Sequence, residues 1–314
     1  MTKEQYLKNL EVPDGKVDVI IDTDAFNEID DQFAIAYLLL SEDKLNTVGI
    51  CAAPFFNPLS TGPKDGMEKS YNEIHKLLDI MGREDLKDRT YRGSEEYLKD
   101  ENTPVRSPAA SFMVETAKKY SPDAPLYIVA IGAITNVASA IIADPAAMEN
   151  TVIVWLGGHG MECDWKRGEA SEFNMRQDIA AARVVFNSAT PVVMLPCEGV
   201  VSAFYLSGAE CEYWLRGSNS LGDYLADNTV RAAESYACGK PWTRVIWDVT
   251  AVAWLLNTES EVFMASKKIK TMLPEYDMSY SYPEEGKEIT YVTKIKRDAL
   301  MDDLLSKIRS FGNR

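Results

Sequence analysis

Four carboxylates crowd one short loop near the start of the chain. An apolar run at residues 19–21 leads into this loop, and its aspartates are Asp22, Asp24, Asp30 and Asp31. Carboxylates this close repel each other, which raises their pKa values unless a cation holds them ionised together. Ligation by oxygen alone favours a hard ion such as Ca²⁺ or Mg²⁺. The spacing therefore predicts a metal site between a strand and a helix.

The spacing of the aspartates also indicates that they have different ligands. On a strand, Asp22 and Asp24 point to the same face, because the side-chain period is two. Asp30 and Asp31 begin a helical pattern and diverge, because neighbours on a helix share a face only at three or four residues' separation. We expect one of them to serve a metal and the other a substrate hydroxyl. A single aspartate there would merely complement the helix dipole, but four in ten residues favour a site.

Bulk properties exclude several classes of protein. The chain has 314 residues and a net charge of −15, so nucleic acid and anionic membranes are poor partners for it. Residues 1–14 have no apolar signal-type core, and no run approaches the roughly 18 apolar residues of a membrane span. The five cysteines lack a CxxC pair, which predicts reduced thiols and a cytoplasmic location. Two histidines, His75 and His159, exclude a histidine-rich metal site.

Apolar runs alternate with helical patterns along the whole chain. Strands are predicted at residues 17–21, 47–53, 126–131, 151–156, 192–195 and 290–295, and helices at 32–40, 67–81, 107–120, 136–143, 179–187, 247–256 and 299–310. This alternation predicts an α/β fold, with a mostly parallel sheet flanked by helices and a site at the carboxyl ends of the strands. Residues 57–69 are predicted to form a mobile loop, and residues 207–243 a lid or an interface.

Three further segments, one at a strand end, one extended and one at the start of a helix, could contribute to a site. Gly132 would let the backbone approach a ligand closely. Glu172 and Asn174, two residues apart, suit sugar hydroxyls, which both donate and accept hydrogen bonds. Asp178 is predicted to cap the helix that follows it, and Asp248 either caps a helix or adds a carboxylate to the first cluster.

Taken in order, these segments resemble the inosine–uridine-type nucleoside hydrolases over most of the chain. The matching segments are the DxD…DD loop, Gly132–Asn136 for G-x-L-T-N, Gly157-Gly158 after a strand, Glu172–Ala182 for E-x-N…D-x-x-A-A, and Trp247-Asp248 for a late H-D pair. Two departures stand out. The loop between Asp24 and Asp30 is two residues longer than the family's. Trp247 stands in place of the family's histidine, which is thought to protonate the leaving base.

The resemblance implies a single nucleoside-hydrolase-like domain over residues 1–314, and an enzyme of purine or pyrimidine salvage that forms a homodimer or homotetramer. It also implies a Ca²⁺ ion held by Asp24, Asp31, Asp248 and the backbone carbonyl of Ile131. The ion would bind the ribose diol and a water, and Asp24 would take the proton of this water as general base. The resemblance assigns the ribose hydroxyls to Asp30, Glu172, Asn174 and Asn57, with Asp22 orienting the loop from behind.

The sequence says less about how the leaving base is bound and protonated. Trp247 could stack on a purine, with Trp242 and Tyr236 completing a sandwich and Phe55 and Phe56 lining another side, although each such ring is more often part of a core. His159, after two glycines at a strand end, is a candidate substitute acid, although a histidine there is commonly just exposed.

Three alternatives stay open at this point. A haloacid-dehalogenase-type phosphatase also places DxD after a strand, but it has Thr or Val where this chain has Phe26. The scaffold could bind a riboside without cleaving it, with Trp247 in place of the acid. It could also hydrolyse another N-riboside, such as one with a modified base or nicotinamide riboside.

Overall fold

The computed structural model describes residues 1–161 and 172–312, and Cys163 lies outside these ranges. Within them, no helix is both long and apolar enough to cross a membrane. The strands are β1 (Val17–Thr23), β2 (Leu45–Ala52), β3 (Thr90–Arg92), β4 (Leu126–Ala130), β5 (Thr151–Leu156), β6 (Val192–Leu195), β7 (Tyr205–Ser207), β8 (Thr243–Val245), β9 (Met264–Lys270), β10 (Leu273–Pro274), β11 (Tyr280–Ser281) and β12 (Glu288–Ile295).

Helices fill most of the connections between these strands. They are α1 (Lys3–Lys8), α2 (Asp30–Leu39), α3 (Pro63–Met81), α4 (Glu84–Lys87), α5 (Pro108–Ala117), α6 (Thr135–Ala143), α7 (Pro145–Met148), α8 (Phe173–Gln177), α9 (Ile179–Asn187), α10 (Gly208–Glu210), α11 (Ser220–Ala237), α12 (Val249–Leu256) and α13 (Arg297–Arg309).

An eight-stranded sheet forms the centre of the fold, in the order β3-β2-β1-β4-β5-β6-β12-β9. Every neighbouring pair in it is parallel except β12 with the edge strand β9. The predicted α/β fold with a mostly parallel sheet flanked by helices is therefore confirmed.

Alternate residues of the central strands pack into two different apolar cores. In β1, Val19 and Ile21 join the core that contains α2, α12 and α13, whereas Ile20 joins the core that contains α5, α6 and α9. A strand buried on both faces by helices requires this nearly continuous apolar sequence. The long apolar runs thus reflect a sheet with helices on each side.

The order of the strands creates a crevice between β1 and β4. From β1 the chain builds outward through β2 and β3, and it then returns to place β4 on the other side of β1. Ligands of open α/β sheets bind at such a switch point, outside the carboxyl ends of the strands. Asp24 and Ile131 each follow one of these two strands directly.

Two predictions for the connections need comment. The mobile loop predicted at residues 57–69 is wrong in its second half, because α3 begins at Pro63. Proline suits the first position of a helix, where its missing N–H has no partner to lose. Residues 207–243 consist largely of α10, a short π-helical turn and α11, and β8 pairs with β7 at their end. Their role as a lid or an interface stays a prediction.

Candidate functional site

A cavity of about 210 Å³ opens at the carboxyl ends of β1, β4, β5 and β6. Its volume is below the roughly 300–1,000 Å³ of pockets for drug-sized ligands, so it suits a small polar molecule. Its lining residues are Asp24, Asn27, Glu28, Asp30, Asp31, Ile131, Leu156, His159, Glu172, Phe173, Asn174, Cys197, Glu198, Trp247 and Asp248.

Asp24 lies at the centre of this arrangement, at the end of β1. Its side chain is 1% exposed, and its Oδ2 has no hydrogen-bond partner within the described part of the chain. Gly132, just after β4, leaves the space that this carboxylate occupies, because a Cβ there would lie 2.8 Å from Asp24 Oδ1. A buried carboxylate oxygen without a partner is costly unless a ligand completes its contacts.

Three other aspartates converge on the same cavity. Asp30, Asp31 and Asp248 each place one carboxylate oxygen within 4.8 Å of the others, and all three are buried. Thr23 Oγ1 donates to Asp31 Oδ1 at 2.5 Å, and the N–H of Asp248 donates to Asp30 Oδ2 at 3.3 Å. The adjacent pair at the start of α2 therefore faces one cavity, although one step along a helix normally separates two side chains.

The electrostatics of these carboxylates fit a bound cation. Burial raises the pKa of Asp31 to about 7, against the hydrogen bond from Thr23. Burial also raises the pKa values of Asp24 and Asp248 well above normal, and the neighbouring aspartates add to this effect. A cation would remove the mutual repulsion and satisfy the unpartnered oxygen of Asp24. An all-oxygen donor set of this kind fits a hard ion, so these residues are suitable ligands for Ca²⁺ or Mg²⁺.

Glu172 and Asn174, at the start of α8, also line the cavity. The Glu172 carboxylate accepts hydrogen bonds from the backbone N–H groups of Gly158, Asn174 and Met175 at 2.7–2.8 Å. Burial raises the pKa of Glu172, and these donors oppose the rise. Asn174 Nδ2 donates to the carbonyls of Ile131 and Leu156 at 3.1 Å each, and all three residues line the cavity.

Two predicted residues have structural roles behind the cavity. Asp22 is fully buried and accepts from Asn136 Nδ2 at 2.8 Å, but it is not among the lining residues. Asp178 accepts from the N–H of Ala181 and so caps α9, as predicted.

The aromatic residues divide between the cavity and its surroundings. Trp247 is half-buried and lines the cavity. Trp242 does not line it and packs against Gly208, and Tyr236 is exposed and donates to the carbonyl of Thr243. Phe55 belongs to the buried interior and Phe56 is 55% exposed, so neither lines the cavity.

Asn57 stands one residue away from the cavity. Its Nδ2 donates to Asn27 Oδ1 at 2.6 Å, and Asn27 is the member of this pair that lines the wall. His159 lines the cavity and accepts from the N–H of Glu198 through Nδ1 at 3.4 Å.

The sequence analysis missed several lining residues. Asn27 and Glu28 belong to the loop that is two residues longer than expected, and Arg244 donates to Glu28 at 2.5 Å. Cys197 and Glu198 follow β6, and a carboxyl strand end was a signal that could have found them. Phe173 lies within the Glu172–Asn174 segment, in which only the two polar residues were predicted to bind a ligand.

The sequence matches one family profile and is similar to a known plant protein. The sequence profile described as inosine-uridine preferring nucleoside hydrolase matches residues 19–302. A probable uridine nucleosidase 2 from Arabidopsis thaliana is 27% identical over 197 residues, which are 56% of this chain and 57% of that protein. The chain thus spans less than two thirds of this plant relative.

Solved structures share the fold over nearly the whole chain. A plant nucleoside hydrolase superposes with a TM-score of 0.73 at 19% identity, covering 94% of this chain and 99% of its own. A purine-preferring ribonucleoside hydrolase from Gardnerella vaginalis gives 0.71 at 20% identity, covering 94% and 98%. Identities this low show a common fold, and the profile match shows the family.

Proposed function

Because the chain belongs to the inosine-uridine preferring nucleoside hydrolase family, we propose that it hydrolyses the N-glycosidic bond of a ribonucleoside, with Ca²⁺ as its cofactor and Asp24 as general base. The products would be the free base and ribose. The observation that carries this proposal is the convergence of Asp24, Asp30, Asp31 and Asp248 on one buried cavity at the carboxyl edge of the sheet.

The cation would be held by the carboxylates of Asp24, Asp31 and Asp248 and by the carbonyl of Ile131. All four residues line the cavity. The oxygens of Asp31 and Asp248 already lie within 4.8 Å of each other and of Asp30. When bound, the ion supplies a positive charge that orients the ribose diol and lowers the pKa of the attacking water.

Asp24 would accept the proton of the attacking water. Its buried Oδ2 faces no competing hydrogen-bond donor among the described residues, so it is available to a water molecule. As the bond to the base breaks, positive charge develops on the sugar ring. The surrounding carboxylates, which are buried, would stabilise this charge.

The ribose hydroxyls would be bound by Asp30, Glu172 and Asn174. The backbone donors of Gly158 and Met175 hold Glu172 in place, so its carboxylate is oriented before the sugar arrives. Asn57 would contribute through Asn27, which it holds at the wall. Asp22 would support the junction of β1 and β4 through Asn136.

The leaving base would stack on Trp247, with Phe173 as a second aromatic group of the wall. Trp242 would contribute only by moving toward the cavity, since it packs on Gly208. His159 is the candidate proton donor where a base needs one.

Two further statements belong to this proposal. The family assignment argues against the phosphatase interpretation, whereas binding of a riboside without cleavage stays a second candidate because Trp247 stands where the family has its acid. We also propose that residues 1–314 act as one domain, that the protein is a homodimer or homotetramer, and that it works in the cytoplasm, where its four described cysteines would stay free.

The test is a product analysis of inosine, uridine and p-nitrophenyl riboside with the purified protein, in Ca²⁺ and after treatment with a chelator. We expect free base or nitrophenol together with ribose when Ca²⁺ is present, and no products after treatment with the chelator. Tight riboside binding without products would favour the binding candidate.

A further inference from the structure

The cavity is strongly acidic. Seven carboxylates line it, and no lysine or arginine is among its described lining residues. They are Asp24, Glu28, Asp30, Asp31, Glu172, Glu198 and Asp248. A divalent cation would keep the neighbouring aspartates ionised, and its two positive charges would balance only part of the negative charge of the seven carboxylates. Such a cavity disfavours an anionic ligand, such as a nucleotide, and favours a ligand that brings positive charge.

Two of these carboxylates lie outside the groups assigned to the metal and the ribose. Glu28 comes from the longer loop and is already paired with Arg244, whose side chain is 22% exposed. Glu198 is half-buried after β6, beside His159. Glu198 is therefore the more informative residue for testing how the cavity responds to charge.

Trp247 lines the cavity next to Asp248, at the position where the resemblance places a proton-donating histidine. An indole N–H donates hydrogen bonds but does not give up its proton near neutral pH. A neutral purine or pyrimidine leaves as an anion unless it is protonated, and loss of a general acid costs ~10²–10⁴-fold in rate. The face of a tryptophan ring, in contrast, attracts a cation.

We propose that the preferred substrate is a ribonucleoside whose base carries a fixed positive charge, such as an N-ribosylpyridinium or a 7-alkylated purine nucleoside. This inference rests on the proposed N-ribosyl hydrolysis. It makes Trp247 and Glu198 the residues that select the charged base.

The chemistry balances without a proton donor. The oxygen of water forms a bond to C1′ while the bond from C1′ to the base nitrogen breaks. The electron pair of that bond passes to the base and cancels its positive charge, so the base departs neutral. Asp24 receives the proton of the water, as in the proposed function.

His159 supplies the competing explanation. With Nδ1 accepting from the N–H of Glu198, a neutral His159 carries its proton on Nε2. If this proton went to the leaving base, neutral nucleosides would be good substrates and His159→Asn would remove that activity.

The experiment compares guanosine with 7-methylguanosine, which differ by one methyl group and the charge. The kcat/KM of each is divided by its uncatalysed rate of hydrolysis, and nicotinamide riboside is a second cationic probe. p-Nitrophenyl riboside reports hydrolysis that needs no base activation. Wild type, Trp247→Leu, His159→Asn and Glu198→Gln are compared. Glu115→Gln, an exposed residue of α5 paired with Lys118, is the control for charge alone.

The inference expects the corrected kcat/KM for 7-methylguanosine to exceed that for guanosine by ~100-fold or more. Glu198→Gln should reduce this preference by about 2–5-fold, and Glu115→Gln should not. Cleavage of p-nitrophenyl riboside without such a preference, or guanosine cleavage that requires His159, would overturn the inference and leave N-ribosyl hydrolysis standing. Failure to cleave any riboside in Ca²⁺ would overturn both.

Discussion

Asp24 combines two properties that a general base needs. It lies where β1 ends at the switch point of the sheet, and its buried Oδ2 has no described hydrogen-bond partner. Burial and the charges of Asp31 and Asp30 raise its pKa while no cation is bound.

Replacing Asp24 with Asn keeps the side-chain shape and removes the base. We expect Asp24→Asn to lower kcat on p-nitrophenyl riboside by ~10²–10⁴-fold at saturating Ca²⁺, with a smaller loss of ribose binding measured by calorimetry. Asp18→Asn, at the opposite end of β1, is the control. Near-normal turnover in Asp24→Asn would show that another group is the base.

Gly132 provides an independent test of the position of Asp24. A Cβ at Gly132 would lie 2.8 Å from Asp24 Oδ1 and 3.0 Å from its Cγ, so Gly132→Ala must displace this carboxylate. Displacement of a catalytic group by about 1 Å can cost ~10²-fold in rate. Gly62→Ala is the control, because a Cβ there meets nothing within 4 Å. Equal kcat values for the two variants would argue against a catalytic Asp24.

Residue types singled out the carboxylates clustered after β1, because such clusters have few structural uses, and Asp24, Asp30 and Asp31 all line the cavity. They did not show that Trp242 packs on Gly208 or that Asn57 reaches the wall through Asn27. Such details depend on how separate loops meet in space, and no local pattern encodes that.

At the scale of elements, the predictions were best where apolar runs are short and bounded by breakers. β5, α9 and β6 have the predicted ends. The edge strand β9 was missed, because only one of its seven residues is buried and its lysines give it no apolar pattern. Exposed lysines on an edge strand hinder pairing with other chains. The long helix α11 was not predicted either, since its polar and glycine-containing sequence resembles a loop.

Lys287, just before β12, ties the sheet to the end of α9. Its Nζ donates to the carbonyls of Val185, Ser188 and Thr190 at 2.7–3.1 Å. Burial lowers the pKa of Lys287 to about 7. Unfolding between pH 7 and 10 therefore takes up a proton, and this lysine's contribution to stability rises with pH over that window.

We expect Lys287→Met to be less stable than wild type, with about 1–3 kcal/mol lost for each buried carbonyl left without a donor. The difference should widen from pH 7 to pH 9, by at most about 1.4 kcal/mol per pH unit. Denaturant unfolding of both proteins at several pH values measures it. Lys270→Met, an exposed lysine on β9, is the control. A difference that is constant or narrows with pH would contradict a lowered pKa.

The whole molecule carries a net charge of −15, and its acidic cavity concentrates charge in the interior. Burial raises the pKa values of Asp22 and Asp31 to about 7, above the ~3.9 of an unfolded aspartate. The stability that these groups contribute is fully present below about pH 4 and is lost as the pH rises through 7. A bound cation would offset this loss by favouring the ionised forms.

Chelator-treated protein should therefore become less stable from pH 5 to pH 8, by at most about 1.4 kcal/mol per pH unit for each such carboxyl group. Ca²⁺ at 100 times its Kd should add about 2.7 kcal/mol. Denaturant unfolding with and without Ca²⁺ at each pH measures both effects. If the free energy of unfolding of the metal-free protein is constant or rises with pH, burial does not raise the pKa values of these carboxyl groups.

We propose above that this cavity is the active site of a Ca²⁺-dependent N-ribosyl hydrolase. The most direct measurement is the rate of ribose release from p-nitrophenyl riboside by chelator-treated protein, as Ca²⁺ is titrated back. This substrate brings its own good leaving group, so the result does not depend on how the base is activated. We expect no ribose release without Ca²⁺, and a rate of release that rises and saturates as the ion is added. A rate that the chelator leaves unchanged, or no release at saturating Ca²⁺, would contradict this proposal.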